Sequence, residues 1–314
     1  MKLGIDMGGM SIKMGLVNEE NKIIGRITIP TDLTVPYQTL VERMADAVRQ
    51  MLENAGMTLE QCGGIGIGSP GTIDAKQGVI LYSNNFGWEN VPIVEELKKH
   101  LDTRIEIAND ADAAALGEVC AGAAEGAENA VLLTLGTGVG GGVILDKKIF
   151  RGAMPGGCEL GHLSIRYDGI RCTCGRKGCL EAYASASALL RIAREKAAEH
   201  PESIMNEMCG NDLEQMNGKI PFDATKAGDE AGMEVVKEYE GYLACGIANV
   251  INTFRPEKVI LGGGVAAQRE NLTAPLKGLV KDMCFGGSHG YIADIVTSVL
   301  GNDAGIIGAA NLVV

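Results

Sequence analysis

Short apolar runs that end in glycine alternate along this chain with longer stretches whose apolar residues recur every three or four positions. The first kind reads as buried strand, the second as amphipathic helix. Residues 2–6 and 14–17 are apolar runs on either side of Asp6-Met7-Gly8-Gly9-Met10-Ser11-Ile12-Lys13, and 23–28 reads as a third strand. Helical spacing of Leu40, Met44, Val48, Met51 and Leu52 predicts a helix over 39–55. A buried strand over 62–68 runs into Ser69-Pro70-Gly71-Thr72-Ile73-Asp74, a stretch of turn formers. A short strand over 79–82 precedes the polar run Ser83-Asn84-Asn85-Phe86-Gly87-Trp88, whose Trp reads equally well as a hydrophobic anchor. A helix over 91–100 has Pro92 near its first turn. The strand over 104–108 then delivers Asn109-Asp110-Ala111-Asp112 to an Ala-rich helix over 113–120.

The second half repeats the opening. A strand over 130–135 ends in Gly136-Thr137-Gly138-Val139-Gly140-Gly141-Gly142 and returns over 143–145. Two glycine-tipped hairpins, each opening one half of the chain, predict a duplicated α/β domain with a nucleotide's phosphates clamped between the halves. Helices are expected over 181–198 and 231–252, with punctuated surface structure between them over 200–228. A strand over 258–261 leads into Gly262-Gly263-Gly264, where bare backbone can lie flat against a planar ligand such as adenine. A strand over 292–298 and a helix over 301–311 close the chain, the helix crossing back onto the first domain. The expected domains are 1–112 with 298–314, and 113–297.

The glycine tip at 8–9 joins two strands, so it lacks the helix N-terminus on which a P-loop or dinucleotide fingerprint depends. Its backbone N–H groups can still meet an anion. Asp6 at the strand end suits Mg²⁺ held through water, and Lys13 suits phosphate oxygens. Taken alone, such a hairpin is most often an ordinary turn. Asp110 and Asp112 stand where a strand meets a helix, a place for ligands in open α/β sheets and also for helix caps. One is expected to cap and the other to be left for chemistry.

One segment carries a sharper signal. Gly157-Cys158-Glu159-Leu160-Gly161-His162 is followed by Cys172-Thr173-Cys174-Gly175-Arg176-Lys177-Gly178-Cys179-Leu180-Glu181. His162, Cys172, Cys174 and Cys179, at intervals of ten, two and five, suit a tetrahedral Cys₃His zinc site. Gly175 and Gly178 allow the backbone to turn tightly there. Glu159 and Glu181 bracket the cluster, and such a zinc shell has no use for them.

Composition narrows the function. At 314 residues the chain is long for one core, and 46% hydrophobic with 22% charged residues is globular composition. A net charge of −12 argues against nucleic acid as a partner, which needs a basic face. Nine cysteines, an odd number, suit a reducing cytoplasm with one metal cluster better than a disulfide framework. No apolar run is long enough for a membrane span, and with a strand beginning at residue 2 no leader segment is expected.

Together these motifs resemble the ROK family (repressors, open reading frames and sugar kinases) of the actin-like ATPase superfamily, over essentially the whole chain. The resemblance rests on Asp6-x-Gly8-Gly9 with Lys13, Asn109-Asp110, Gly136-Thr137-Gly138, Glu159-x-Gly161-His162, the Cys172-to-Glu181 run and Leu261-Gly262-Gly263-Gly264. It implies an actin-like (ribonuclease H-like) fold of two duplicated α/β domains with the active site in the cleft between them, and an ATP-dependent hexose kinase. Asp110 would be the general base. Gly71, Thr72, Asn84, Asn85, Asn109, Asp110, Glu159, His162 and Glu181 would hold the sugar. Asp6, Gly8, Gly9, Met10, Lys13, Gly136, Thr137, Gly138, Gly263 and Gly264 would hold ATP with Mg²⁺, and zinc would be structural. Relatives carry Thr or Ala where this chain has Met10, which leaves only backbone contacts to phosphate at that position. The runs 84–88 and 179–185 are most similar to the family's glucokinases from Gram-positive bacteria, which implies glucose phosphorylated at its 6-hydroxyl. Fructose, allose, N-acetylglucosamine and N-acetylmannosamine are the alternative sugars. A DNA-binding sugar sensor is disfavoured by the charge and by the early first strand, and a non-catalytic relic by the presence of Asp110 and both tips. The family commonly forms homodimers.

Overall fold

A computed structural model of the chain describes residues 1–290 and 292–313. Strands β1 (Lys2–Met7), β2 (Ser11–Val17) and β3 (Ile23–Pro30) form the expected antiparallel meander, and α1 (Tyr37–Asn54) buries the stripe from Leu40 to Leu52 against them. Then β4 (Ile65–Ser69) enters parallel to β1. The segment expected as a bare turn after it contains a strand, β5 (Thr72–Asp74), which pairs with β6 (Val79–Ser83); β6 pairs in turn with β7 (Trp88–Val91). Only β6 matches an expected strand, that over 79–82; β5 and β7 escape a hydropathy reading because they are short and lie among turn residues. Trp88 acts as an anchor, its ring 4.9 Å from Phe86 and 6.1 Å from Tyr37. Helix α2 (Ile93–Lys98) begins just after Pro92, and β8 (Ile105–Asn109) runs parallel to β4 and feeds α3 (Asp110–Ala121).

The second half follows with β9 (Ala130–Leu135), β10 (Val139–Leu145) and β11 (Lys148–Ile149). The helix expected over 181–198 is two helices, α4 (Glu181–Ala184) and α5 (Ala186–Glu199), broken at Ser185. Its apolar spacing carries through the break, so the pattern alone hides it. The stretch 200–228 also contains α6 (Ile204–Met208) and α7 (Ile220–Lys226), which pack together, and α7 packs on α8 (Glu230–Phe254). Strand β12 (Lys258–Gly262) is followed by α9 (Glu270–Met283), a helix the sequence reading missed. Strand β13 (Asp294–Thr297) and α10 (Asp303–Ala310) end the fold.

The duplication is visible in strand order. The first five-stranded sheet runs β3-β2-β1-β4-β8 and the second β11-β10-β9-β12-β13. Each opens with three sequential strands and extends on the side of the first of them. The β5-β6-β7 sheet is an insertion between β4 and β8.

Two compact units emerge, Met1–Leu132 with Gly142–Cys158 and Val299–Val314, and Leu133–Gly141 with Glu159–Ser298. The first extends past the expected boundary at 112 because α3 packs on α10, β4 and β8. As expected, α10 docks in the first unit, against α3, β1 and β4. Its approach leaves no room for side chains. A Cβ on Gly66 would overlap the Ala309 carbonyl, and one on Gly308 would overlap that of Ala113. Buried Glu118 of α3 fixes the entry to α10 by accepting the Leu300 N–H at 3.0 Å and the Val299 N–H at 3.2 Å.

Candidate active site

In the first unit, register gathers the acidic groups at one edge. Asp6, one residue before the end of β1, lies opposite Gly68 of β4, and Ser69 of β4 pairs with Asn109 of β8. Asp6, Asn109 and Asp110 therefore lie at the C-terminal ends of parallel strands, the ligand edge of such sheets. Burial, opposed by Lys13 and reinforced by Asp110, pushes the Asp6 carboxyl up to about 6. Asp110 is likewise raised by burial, with hydrogen bonds from Ala111 and Asn109 pulling the other way. A raised carboxyl is a better proton acceptor than a solvated one.

The cap of α3 is neither aspartate. Asn109 takes that place, its Oδ1 accepting the Ala111 N–H at 2.8 Å while its Nδ2 donates to the Gly71 carbonyl at 3.1 Å. Asp110 Oδ1 shares the Ala111 N–H at 2.9 Å. Asn109 thus joins the turn at Gly71 to the start of α3, and these bonds leave its second Nδ2 hydrogen unused. Asn109 and Asp112 line a cavity of about 160 Å³ with Lys76, Arg151 and Met154. Thr72 lies close to Gly156, on the segment that walls this cavity. Asn84 and Asn85 are exposed on the β6–β7 turn, and among the described residues no hydrogen bond ties them to Gly71, Asn109 or Asp110. At the first glycine tip the Gly8 N–H donates to the Ser11 carbonyl, and Thr31 donates both to the Gly8 carbonyl, at 2.6 Å, and to that of Met10. Met10 itself is 91% exposed.

In the second unit, the metal segment closes as its spacing predicted. One donor atom from each of His162, Cys172, Cys174 and Cys179 lies within 4.8 Å of the other three. Cys174 Sγ is 3.6 Å from Cys179 Sγ, and Cys172 Sγ is 3.7 Å from His162 Nδ1. Zinc–sulfur bonds of about 2.3 Å would set tetrahedral sulfur–sulfur edges of about 3.8 Å, so the donor set fits the ion. Gly175 and Gly178 both take positive φ, as the tight turns require. Because Nδ1 faces the cluster, Nε2 of His162 is directed elsewhere.

Glu159 is exposed, and its carbonyl accepts the His162 N–H at 3.0 Å. Glu181 sits between the metal segment and the second glycine tip. Its Oε2 accepts the Val139 N–H at 3.0 Å, and its Oε1 accepts the Thr173 hydroxyl at 3.2 Å and lies 3.5 Å from Cys172 Sγ. A Cβ on Gly138 would collide with Oε2, so a side chain there would displace this carboxylate. Helix α4 is pinned from behind: the Tyr239 hydroxyl donates to the Ala184 carbonyl at 2.8 Å, and the Ile170 N–H donates to the Tyr183 hydroxyl at 2.7 Å. Gly263 has positive φ and packs on Leu135, and Gly264 opens the short helical turn at Val265–Gln268. Thr173 and Ser187 are polar contributors that sequence reading passed over. Thr173 bonds to Glu181 within the same run, whereas Ser187 bonds to Thr137, fifty positions away, and only the SerAlaSer repeat at 185–187 hints at a cap.

Residues 2–314 match the ROK family. The chain is 37% identical to a glucokinase of Thermotoga maritima over 312 residues, which are 99% of this chain and 96% of that protein. It is 35% identical to a glucokinase of Halalkalibacterium halodurans over 315 residues, with 99% and 94% covered. Among solved structures, a ROK family glucokinase from Streptomyces griseus in complex with glucose and AMPPNP is similar with a TM-score of 0.79 and 31% identity, covering 99% of this chain and 98% of that one.

Proposed function

Since the chain belongs to the ROK family, we propose that it is an ATP-dependent hexose kinase that phosphorylates glucose at its 6-hydroxyl. The observation that carries this reading is Asp110, a half-buried carboxylate with a raised pKa at the start of α3, on the same sheet edge as Asp6. Asp110 accepts the proton of the attacking hydroxyl. Its contribution is mainly orientation, because phosphoryl transfer depends on positioning and charge neutralisation more than on covalent chemistry. Asn109 holds the Gly71 turn in place and offers its side chain to the sugar, with Thr72, Asn84 and Asn85 as further contacts.

Glu159, His162 and Glu181 reach the sugar from the metal segment. His162 ligates through Nδ1, and this fixes Nε2 toward a hydroxyl. Zinc held by His162, Cys172, Cys174 and Cys179 stiffens that segment and takes no part in the chemistry. Gly8, Gly9, Met10 and Lys13, together with Gly136, Thr137 and Gly138, bind the phosphates, Gly263 and Gly264 line the adenosine pocket, and Asp6 holds Mg²⁺ through water. Among the described residues no helix is long and apolar enough to cross a membrane; a cytoplasmic homodimer suits this reading.

A coupled assay with ATP across glucose, fructose, allose, N-acetylglucosamine and N-acetylmannosamine tests it. Glucose should have the highest kcat/KM by tenfold or more. Preference for another hexose would move the substrate assignment, and turnover of none would overturn the kinase.

A further inference from the structure

The break between α4 and α5 points two donors at the second glycine tip. Ser185 is extended there, with φ −76° and ψ 167°, and its hydroxyl caps α5 by accepting the Ala188 N–H at 3.1 Å. The chain thereby turns so that the Ala186 N–H donates to the Gly136 carbonyl at 2.8 Å and the Ser187 hydroxyl donates to the Thr137 carbonyl at 2.9 Å. The third carbonyl of the tip, that of Gly138, accepts the Gly136 N–H at 3.0 Å. All three carbonyls are engaged. By contrast, the N–H groups of Thr137 and Gly138 have no hydrogen-bond partner among the described residues.

These facts are linked by the planarity of the peptide unit. In a trans peptide the C=O and N–H point in opposite directions. A donor that holds the Gly136 carbonyl therefore sets the direction of the Thr137 N–H, and one that holds the Thr137 carbonyl sets that of the Gly138 N–H. Ala186 and Ser187 thus turn two successive N–H groups away from α5, the arrangement that binds an anion. Beyond them, Glu181 holds the Val139 N–H.

We propose that Ser187 is a positioning residue for the nucleotide's phosphates: its hydroxyl keeps the Thr137–Gly138 peptide from flipping and presenting its carbonyl to the anion. This rests on the reading of 136–138 as a phosphate cradle. Ser187 is exposed and belongs to neither the metal set nor the sugar set, so loss of its hydroxyl leaves the core untouched. A backbone-orienting hydrogen bond of ordinary strength corresponds to about a three- to tenfold change in affinity.

The test is calorimetric binding of AMPPNP with Mg²⁺, alongside KM for ATP, direct glucose affinity and zinc content, for the parent protein, Ser187→Ala and Ser187→Thr. Ser187→Ala should weaken AMPPNP binding and raise KM for ATP about three- to tenfold. It should leave glucose affinity within twofold and zinc unchanged, and Ser187→Thr should restore nucleotide affinity. Unchanged AMPPNP affinity in Ser187→Ala would overturn the positioning role alone. So would a parallel loss of glucose affinity and zinc, which would mark general loosening. A parent protein that binds no AMPPNP would overturn the cradle, and this role with it.

Discussion

Asp6 stands directly opposite Lys13 in the β1–β2 register, yet its carboxyl is pushed up to about 6. Burial outweighs the neighbouring cation, and α10 contributes to it, since a Cβ on Gly305 would press on the Asp6 carboxylate. A folded-state pKa above the reference of 3.8 means that ionised Asp6 weakens the fold at neutral pH. That handicap is absent below about pH 4 and complete above about pH 6, and it amounts to at most about 3 kcal/mol. Asp6→Asn should therefore melt a few degrees higher than the parent at pH 8 without ligands, with the gain vanishing near pH 4, while turnover is lost. Thermal melts across this range decide it. A less stable variant at pH 8 would mean that the Lys13 attraction dominates.

Asp110→Asn keeps the shape of the side chain and removes its basicity. Turnover should fall about 10²–10⁴-fold, the usual worth of a general base. Sugar affinity, measured by direct binding, should change little. Turnover above a tenth of the parent's would exclude Asp110 as the base.

Cys174 is the exposed member of the candidate metal set. Cys174→Ser should lower zinc, expected at about one ion per chain by elemental analysis, and weaken sugar binding with it, because Glu181 contacts both Thr173 and Cys172. Zinc loss with an unchanged KM for glucose would separate the cluster from the sugar site, and parent protein without zinc would dismiss the metal altogether.

Glu240 on α8 is buried, and its Oε1 has no hydrogen-bond partner among the described residues. Burial pushes it up to about 7. As with Asp6, the raised value means that stability declines as pH rises through this range. Glu240→Leu should raise the melting temperature at pH 8.5 and much less at pH 5.5, with kcat/KM unchanged. Equal gains at both pH values would point to packing alone.

What could be read from the residues follows from where their partners lie. The hairpins around Gly8-Gly9 and Gly136-Thr137-Gly138 were legible because apolar strands and glycines adjoin in sequence. The candidate metal set was legible because its spacing is short, and the four donor atoms do lie within 4.8 Å of one another. The α4–α5 break was hidden because it is supported by the Gly136 and Thr137 carbonyls, far away along the chain. Asn109 was passed over as the cap of α3 in favour of two aspartates of the same helix-starting type, and only its bond to Gly71 distinguishes it. Helix α9 carries an internal proline at Pro275, a residue that ordinarily argues against a helix.

The tight seat of α10 against Gly66 and Ala113 also bears on how the protein is made. Residues 1–132 leave the ribosome long before α10 exists, so the first unit cannot reach its final packing when its strands have formed. Until α10 arrives, β1 and β4 hold a bare glycine-lined groove, and Glu118 lacks the two amides it accepts from residues 299 and 300. Synthesis and folding therefore run in different orders: the second unit can mature while the first waits, partly formed, for the chain to come back to it.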